Sequence, residues 1–224
     1  MKIKLNRDKI VNFYPLLICI FMGAIASHLA LAGNGMRNSV ADSPDQVCPI
    51  SVGESIPAVT LKDVNAKPVA VTSVLAEKPT LLIFYRGSWC PYCNTHLGEL
   101  KKIESDLIKM GYQIIAVSPD LPKNLKVSVE KNQLAYTLLS DSDAELIKGV
   151  GLAFRVDNET IAAYHQYNID LEQASGATHH ILPVPAALLV ATDGIVKFIF
   201  YAPDYKVRAD KEVLLAAARS ALKK

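Results

Sequence analysis

A pair of cysteines at the junction of a buried strand and an amphipathic helix is the feature that most constrains the fold. Residues 80–85 (TLLIFY) form a continuous apolar run, as expected of a central strand covered on both faces. From residue 97 to residue 110, apolar side chains recur at three- and four-residue spacing, which predicts an amphipathic helix ending at Gly111. The motif WCPYC, residues 89–93, lies between the two segments. The first cysteine therefore falls at the predicted start of the helix.

A cysteine at a helix start is well placed for thiol chemistry. The first backbone N–H groups of a helix have no intrahelical partner, and together with the helix dipole they stabilise a thiolate at Cys90. Pro91 suits the first helical position, and Cys93 follows about one turn along, where it can resolve a mixed disulfide formed by Cys90. Arg86 either adds positive potential or is a solvated loop arginine. We expect Trp89 to act as a packing lid.

Two other uses of the cysteine pair are weaker. A structural disulfide would close a very short loop, which removes little entropy from the unfolded chain. A zinc or copper site would need His179 and His180 to join the two sulfurs, but adjacent side chains rarely reach one ion, and the sequence has no second Cys-x-x-Cys. The pattern favours a redox-active Cys90–Cys93 disulfide, with no metal and no cofactor.

The amino terminus predicts export. Residues 1–32 combine a basic start, an apolar stretch and the small residues ALA at 30–32, which is typical of a cleaved signal peptide; an uncleaved membrane anchor is the alternative. Residues 33–49 are polar and rich in Gly, Ser, Asn and Pro, and predict a flexible linker to a domain over 50–224. We expect a periplasmic or secreted protein without stable membrane insertion after cleavage, or a domain anchored outside the cytoplasm. The formal net charge of +2 gives no basis for nucleic-acid binding.

The order of strand and helix patterns predicts an α/β fold with a mixed central sheet flanked by helices on both faces. The segments 120–133 and 159–172 could be helix or loop. Strands are predicted at 58–64, 80–85, 113–118 and 136–141, a hairpin at 186–201, and helices at 97–110, 143–153 and 210–223, the last capped by Asp210.

Four segments together resemble a known family: VGESIPAVTL (52–61), LLIFYRGSWCPYCNTHLGEL (81–100), YQIIAVSPD (112–120) and LPVPAALLVATDG (182–194). They are similar to the peroxiredoxin-like branch of the thioredoxin superfamily, the alkyl hydroperoxide reductase/thiol-specific antioxidant group, over about residues 50–205. The resemblance implies a thioredoxin fold. It also implies that Pro185 is a cis-proline that faces the cysteines and helps to dock substrate, although a plain strand-start proline is the alternative.

The sequence departs from the peroxiredoxin motif Pro-x-x-x-Thr-x-x-Cys. In this alignment Cys93 takes the peroxide-reactive position, Cys90 replaces the threonine and Arg86 replaces the proline. The arginine that opens a later strand in the family falls near Pro185, where this chain has none. Because the threonine and the arginine stabilise the charge that develops as the O–O bond breaks, their loss favours disulfide exchange over peroxide reduction.

The sequence thus predicts an exported thiol–disulfide oxidoreductase in which Cys90 attacks, Cys93 resolves, and Arg86, Trp89 and Pro185 contact the substrate. The alternative is a thiol peroxidase; a copper-handling protein and a redox-inert binding module are weaker hypotheses. The expected partners are a thiol or disulfide protein, or a hydroperoxide, together with an electron donor that the sequence does not identify. The role of Cys48 stays open, and residues 158–180 are hypothesised to line the active-site groove and set substrate choice.

Overall fold

The computed structural model describes residues 39–222. The predicted signal peptide lies outside these residues and stays a prediction. Within residues 39–222, no helix has both the length and the apolar character needed to cross a membrane.

The strands are β1 Thr60–Lys62, β2 Pro68–Ala70, β3 Thr80–Phe84, β4 Gln113–Ser118, β5 Thr137–Ser140, β6 Ala153–Arg155, β7 Ile181–Pro183, β8 Ala186–Val190 and β9 Val196–Tyr201. The helices are α1 Val71–Glu77, α2 Pro91–Lys109, α3 Pro122–Asn132, α4 Glu145–Gly149, α5 Asn158–Gln166, α6 Leu171–Ser175 and α7 Lys211–Ala221.

A mixed seven-stranded sheet forms the centre of the domain, in the order β2-β1-β5-β4-β3-β8-β9. Strands β3, β4 and β5 are parallel, and the remaining pairs are antiparallel. The predicted hairpin at residues 186–201 is present as β8 and β9. Strands β6 and β7 form a separate antiparallel pair.

The central strand β3 contributes side chains to a hydrophobic core on each side of the sheet. Leu82 and Phe84 belong to one core, and Leu81 and Ile83 to the other, and all four are at most 1% exposed. Helices α1 and α4 pack in the first core, whereas α2 and α7 pack in the second. This arrangement confirms the predicted sheet with helices on both faces, and it explains why residues 80–85 show no alternation of apolar and polar side chains.

Several local structures go beyond the sequence prediction. Residues 120–133 contain the helix α3, and residues 159–172 contain α5 and the start of α6. The sequence prediction missed β2, α1 and the β6–β7 pair. Each of the missed strands has three residues and α1 has seven, so they are too short to show a periodic pattern.

Residues 39–49 depart from the predicted flexible linker. The backbone N–H of Ala41 donates to the carbonyl of Ala153 at 3.0 Å, and the carbonyl of Ala41 accepts from the N–H of Arg155 at 2.8 Å. Val40 and Val47 pack against the first core. Residues 39–49 are therefore held beside β6 by two backbone hydrogen bonds and by the packing of Val40 and Val47.

Removal of the predicted cap of α7 should destabilise the domain. The Oδ1 atom of Asp210 accepts a hydrogen bond from the N–H of Glu212 at 2.7 Å, which confirms the predicted cap. Asp210→Ala should lower the free energy of unfolding by about 1 kcal/mol, measured by urea denaturation. Asp143→Ala is the control, because Asp143 is exposed and has no side-chain hydrogen bond among the described residues. An equal loss in both variants would contradict the capping role.

Candidate active site

The two sulfurs of the Cys-x-x-Cys motif lie where the loop after β3 enters α2. Cys90 is the N-cap of α2 and has an extended backbone, and its carbonyl accepts from the N–H groups of Cys93 and Asn94, each at 3.1 Å. Pro91 occupies the first turn, as predicted. Cys90 is 2% exposed and Cys93 is 0% exposed, and both are free thiols here; the disulfide between them stays a prediction. Cys48 is free and exposed.

The two thiols have opposite acidities. The Cys93 thiol donates a hydrogen bond to the Cys90 sulfur and, helped by the nearby charges of Arg86 and Arg208, lowers the pKa of Cys90 to about 6, although burial opposes this shift. The same hydrogen bond and burial raise the pKa of Cys93 well above its usual value. At neutral pH, Cys90 is therefore the thiolate and Cys93 keeps its proton.

Arg86 is a buried part of the site and not a solvated loop residue. Its side chain is 4% exposed, and Nη2 donates a hydrogen bond to the Tyr164 hydroxyl. The guanidinium carbon lies 4.3 Å from the ring centroid of Tyr205, 5.0 Å from that of Trp89 and 5.5 Å from that of Tyr164. Cation–π contacts of this kind stabilise a desolvated guanidinium. Arg86 is thus held beside Cys90 by aromatic rings.

A second arginine, Arg208, was missed by the sequence prediction. Its Nη2 atom donates to the Sγ atom of Cys93 at 3.5 Å, and its Nη1 atom donates to the carbonyls of Val207, at 2.7 Å, and Tyr205. The residue lies in the segment between β9 and α7, 115 positions after Cys93. No local pattern marks it, because only the fold brings that segment to the helix start. No arginine stands at Pro185, as the sequence shows, but the fold brings Arg208 to the sulfurs from elsewhere in the chain.

Pro185 lines a groove of about 220 Å³ together with Arg86, Phe154, Tyr164 and Tyr205. The prediction of a cis bond before Pro185 was wrong, because the Val184–Pro185 bond is trans. The proline simply continues the extended chain from β7 into β8, and its carbonyl accepts from the N–H of Ala202 at 3.3 Å. A role in substrate docking stays a prediction.

The hypothesised extra segment does line this groove. Helix α5 contributes Thr160 and Tyr164 to its wall, and the ring of Tyr164 lies 5.6 Å from that of Trp89. The half-buried Trp89 contacts the second core as well as a small apolar cluster around Leu171 and Leu182. Trp89 thus packs against both clusters, while its contact with substrate and the influence of the segment on substrate choice stay predictions.

A buried carboxyl group anchors the loop in front of Cys90. The Oδ2 atom of Asp120 accepts from the N–H of Ser88 at 2.6 Å, and burial raises the pKa of Asp120 to about 6. Gly87 lies against this pair with φ of +148°, and a Cβ atom there would meet Trp89 Nε1 at 2.4 Å and Asp120 Oδ1 at 2.8 Å. The close approach of loop, ring and carboxyl group therefore requires glycine at this position.

The two histidines considered as metal ligands have other partners. Nε2 of His179 lies 2.8 Å from the carbonyl of Ser142, and its Nδ1 accepts from the N–H of Ile181 at 2.9 Å. Nε2 of His180 lies 2.9 Å from Oε1 of Glu172. Among the described residues, no three His, Cys, Asp or Glu side chains are grouped to hold a metal ion, so the copper hypothesis gains no site from them.

Comparison with known proteins agrees with the predicted family and fold. Residues 52–199 match the AhpC/TSA family. The chain is 36% identical over 104 residues to a putative peroxiredoxin bcp of Haemophilus influenzae, a match that covers 46% of this chain and 66% of that protein. It is 31% identical over 103 residues to the chloroplastic peroxiredoxin Q of Gentiana triflora, covering 46% of this chain and 47% of that protein.

Solved structures show the same fold. Reduced Prx3 of Vibrio vulnificus in complex with H₂O₂ superimposes with a TM-score of 0.62 at 21% sequence identity, covering 75% of this chain and 99% of that chain. The peroxidoxin BcpB of Mycobacterium tuberculosis gives a TM-score of 0.59 at 16% identity, covering 76% and 97%. These likenesses confirm the predicted thioredoxin fold.

The acidity of Cys90 predicts a pH profile for alkylation. In a Cys48→Ser background, which removes the exposed thiol, reaction of the reduced protein with iodoacetamide should rise with pH around a midpoint of about 6, because the thiolate is the nucleophile. Cys93→Ala removes the hydrogen bond that contributes most to this shift, so the midpoint should move upward. A midpoint at or above that of a free thiol, about 8.5, would contradict the assigned site electrostatics.

The active-site loop should not tolerate a side chain at Gly87. Gly87→Ala places a Cβ against Trp89 and Asp120 in a backbone region unfavourable to alanine, so we expect a loss of about 1–3 kcal/mol in unfolding free energy. Gly98→Ala is the matched control, because Gly98 lies within α2 with nothing within 4 Å of its added Cβ, and alanine favours helix by about 0.5–1 kcal/mol. Urea denaturation should give opposite signs for the two variants; the same sign would contradict the assignment.

Proposed function

Because the chain belongs to the AhpC/TSA family, we propose that it is a thiol peroxidase that reduces hydroperoxides with the Cys90–Cys93 pair. The observation that carries this proposal is the position of two guanidinium groups, those of Arg86 and Arg208, beside the two sulfurs. Fixed positive charge is what a site needs to stabilise the negative charge that develops as the O–O bond breaks. The names of the related peroxiredoxins, and the Vibrio vulnificus structure with H₂O₂, support the same activity.

The reaction follows from the two acidities. The Cys90 thiolate attacks one oxygen of the hydroperoxide; an S–O bond forms, the O–O bond breaks, and the leaving alkoxide or hydroxide takes a proton. Arg86 lies where it can stabilise the charge on that oxygen. The Cys93 sulfur then attacks the Cys90 sulfenic acid, water leaves, and the disulfide forms. The hydroperoxide has gained two electrons, and an external thiol must return two electrons to the protein.

This proposal reverses the order of preference drawn from the sequence. Disulfide exchange was favoured because the family's arginine falls at Pro185 and its threonine at Cys90. The structure brings two arginines to the site from other positions, one from the loop after β3 and one from the segment after β9. The alignment makes Cys93 the peroxide-reactive sulfur, whereas the lower pKa of Cys90 supports that role for Cys90.

Thiol–disulfide exchange is the second candidate. It is favoured by the buried Cys93 thiol that donates to an acidic Cys90, since an attacking thiolate with a resolving thiol behind it is what exchange requires. A protein thiol or disulfide would then dock along the groove at Pro185 and Arg86. For either activity, we propose a location outside the cytoplasm, supported by the pattern of residues 1–32 alone.

Peroxide oxidation of the reduced protein tests the proposal. In the Cys48→Ser background, stopped-flow mixing with H₂O₂ should oxidise the protein faster than a free thiol at the same thiolate fraction, because Arg86 and Arg208 stabilise the transition state. Cys90→Ser should abolish the fast phase. Cys93→Ser should keep a fast phase but accumulate a sulfenic acid, detected by mass spectrometry after trapping with dimedone.

The two variants also separate the possible outcomes. A fast phase that survives in Cys90→Ser but not in Cys93→Ser would assign the peroxide reaction to Cys93. Oxidation of all proteins at the free-thiol rate would refute the peroxidase activity. Fast reduction of a protein disulfide such as that of insulin in the same preparation would then support disulfide exchange.

A further inference from the structure

Arg208 is fixed in place and aimed at one sulfur. Two backbone carbonyls, those of Tyr205 and Val207, hold its Nη1 atom, and this leaves Nη2 directed at the Sγ atom of Cys93 at 3.5 Å. Both carbonyls belong to the segment that carries Arg208 itself, so the guanidinium moves with that segment. A planar guanidinium restrained in this way loses little further entropy when it binds an anion.

The positive charge of Arg208 is not balanced by a carboxylate. Among the described residues, Arg208 forms no ion pair, and its Nε atom is buried without a hydrogen-bond partner. The neighbouring His96 does not compete as a cation, since burial, followed by the charge of Arg208, lowers the pKa of His96 to about 4. A thiolate on Cys93 would therefore meet an uncompensated guanidinium.

Cys93 needs such a partner whenever its sulfur carries negative charge. Its side chain is 0% exposed, and an isolated charge at a buried position is strongly disfavoured. In the reduced protein Cys93 is protonated and bears no charge. When the disulfide is opened, however, one of the two sulfurs has to leave as a thiolate.

We propose that Arg208 is a catalytic residue of the reductive step, in which it stabilises Cys93 as the leaving thiolate when an external thiol opens the Cys90–Cys93 disulfide. The external thiolate attacks Sγ of Cys90, a mixed disulfide forms, the Cys90–Cys93 bond breaks, and its electron pair passes to Sγ of Cys93. A second thiolate of the reductant then displaces Cys90, and Cys93 takes a proton. The reductant becomes a disulfide and the protein gains two electrons.

This inference rests on the disulfide of the proposed function but not on the oxidant that forms it. It assigns direction to the exchange: in the mixed disulfide Cys90 is bonded to the external sulfur and no longer raises the pKa of Cys93, so Arg208, which contacts Cys93, can stabilise a thiolate there when the attack is on Cys90. In thiol–disulfide exchange, a leaving sulfur that is more stable as a thiolate is displaced faster. Arg208 should therefore accelerate reduction even by a small thiol that makes no protein–protein contact.

The test measures reduction of a disulfide formed chemically. In the Cys48→Ser background, the Cys90–Cys93 disulfide is formed with diamide, and its reduction by dithiothreitol is followed by the fluorescence of Trp89, the one tryptophan of the chain. Arg208→Gln should slow reduction at least tenfold, and Arg208→Lys, which keeps the charge, should recover part of the rate. If Arg208→Gln also changes the equilibrium constant with dithiothreitol, the reduction potential of the protein disulfide should become more negative. Each tenfold change in that constant corresponds to about 30 mV.

Arg219→Gln is the control, since it removes the same charge from an exposed position on α7 and should leave the rate unchanged. An unchanged rate in folded Arg208→Gln, or an equal loss in Arg208→Lys, would overturn the role of Arg208. A measurement on the unsubstituted arginine avoids any loss of folding: a mixed disulfide trapped with a monothiol should be found on Cys90, and its presence on Cys93 would also overturn the inference. If the disulfide forms with diamide but not with peroxide, the peroxidase activity is refuted, and the role of Arg208 in reduction is not affected.

Discussion

The hydrogen bond from the Cys93 thiol to the Cys90 sulfur is the interaction on which the chemistry of this domain depends. It lowers the pKa of Cys90, which accepts the hydrogen bond, and raises the pKa of Cys93, which donates it. Two identical side chains therefore become a thiolate and a thiol. The bond exists because α2 begins at Pro91, which puts Cys90 on the cap and Cys93 inside the first turn. The direction of α2 is set in turn by β3, whose five residues are all buried in the sheet.

A buried dithiol that ionises also needs charge compensation, and two guanidinium groups contribute to it alongside the hydrogen bonds from Cys93. Arg86 is held by aromatic rings and Arg208 by backbone carbonyls, so neither depends on a carboxylate that would weaken its field at the sulfurs. The nearby carboxyl group of Asp120 is used differently. It accepts a hydrogen bond from the backbone N–H of Ser88, which anchors the loop in front of Cys90, and burial raises its pKa to about 6.

The parts of this arrangement that lie close together in sequence could be predicted from it. The strand β3, the helix α2, the Asp210 cap and the two cysteines all follow from apolar spacing, capping residues and the Cys-x-x-Cys motif. The burial of Arg86 could not be predicted, because Tyr164 and Tyr205 reach it from distant segments. Arg208 gave no local signal at all, and the cis bond expected before Pro185 from the order of the segments is a trans bond.

The position of Arg208 changes what the family pattern means for this chain. A motif comparison tests whether a given residue type occupies a given place in the sequence, but a transition state responds only to where charge lies in space. Here the place of the family's arginine is taken by Pro185, while guanidinium groups approach the sulfurs from the loop after β3 and from the segment before α7. Both guanidinium groups lower the pKa of Cys90, and that of Arg208 also contacts Cys93, so each sulfur has a cation nearby. Cys90, in place of the family's threonine, puts a second thiol at the N-cap of α2, about one helical turn from Cys93.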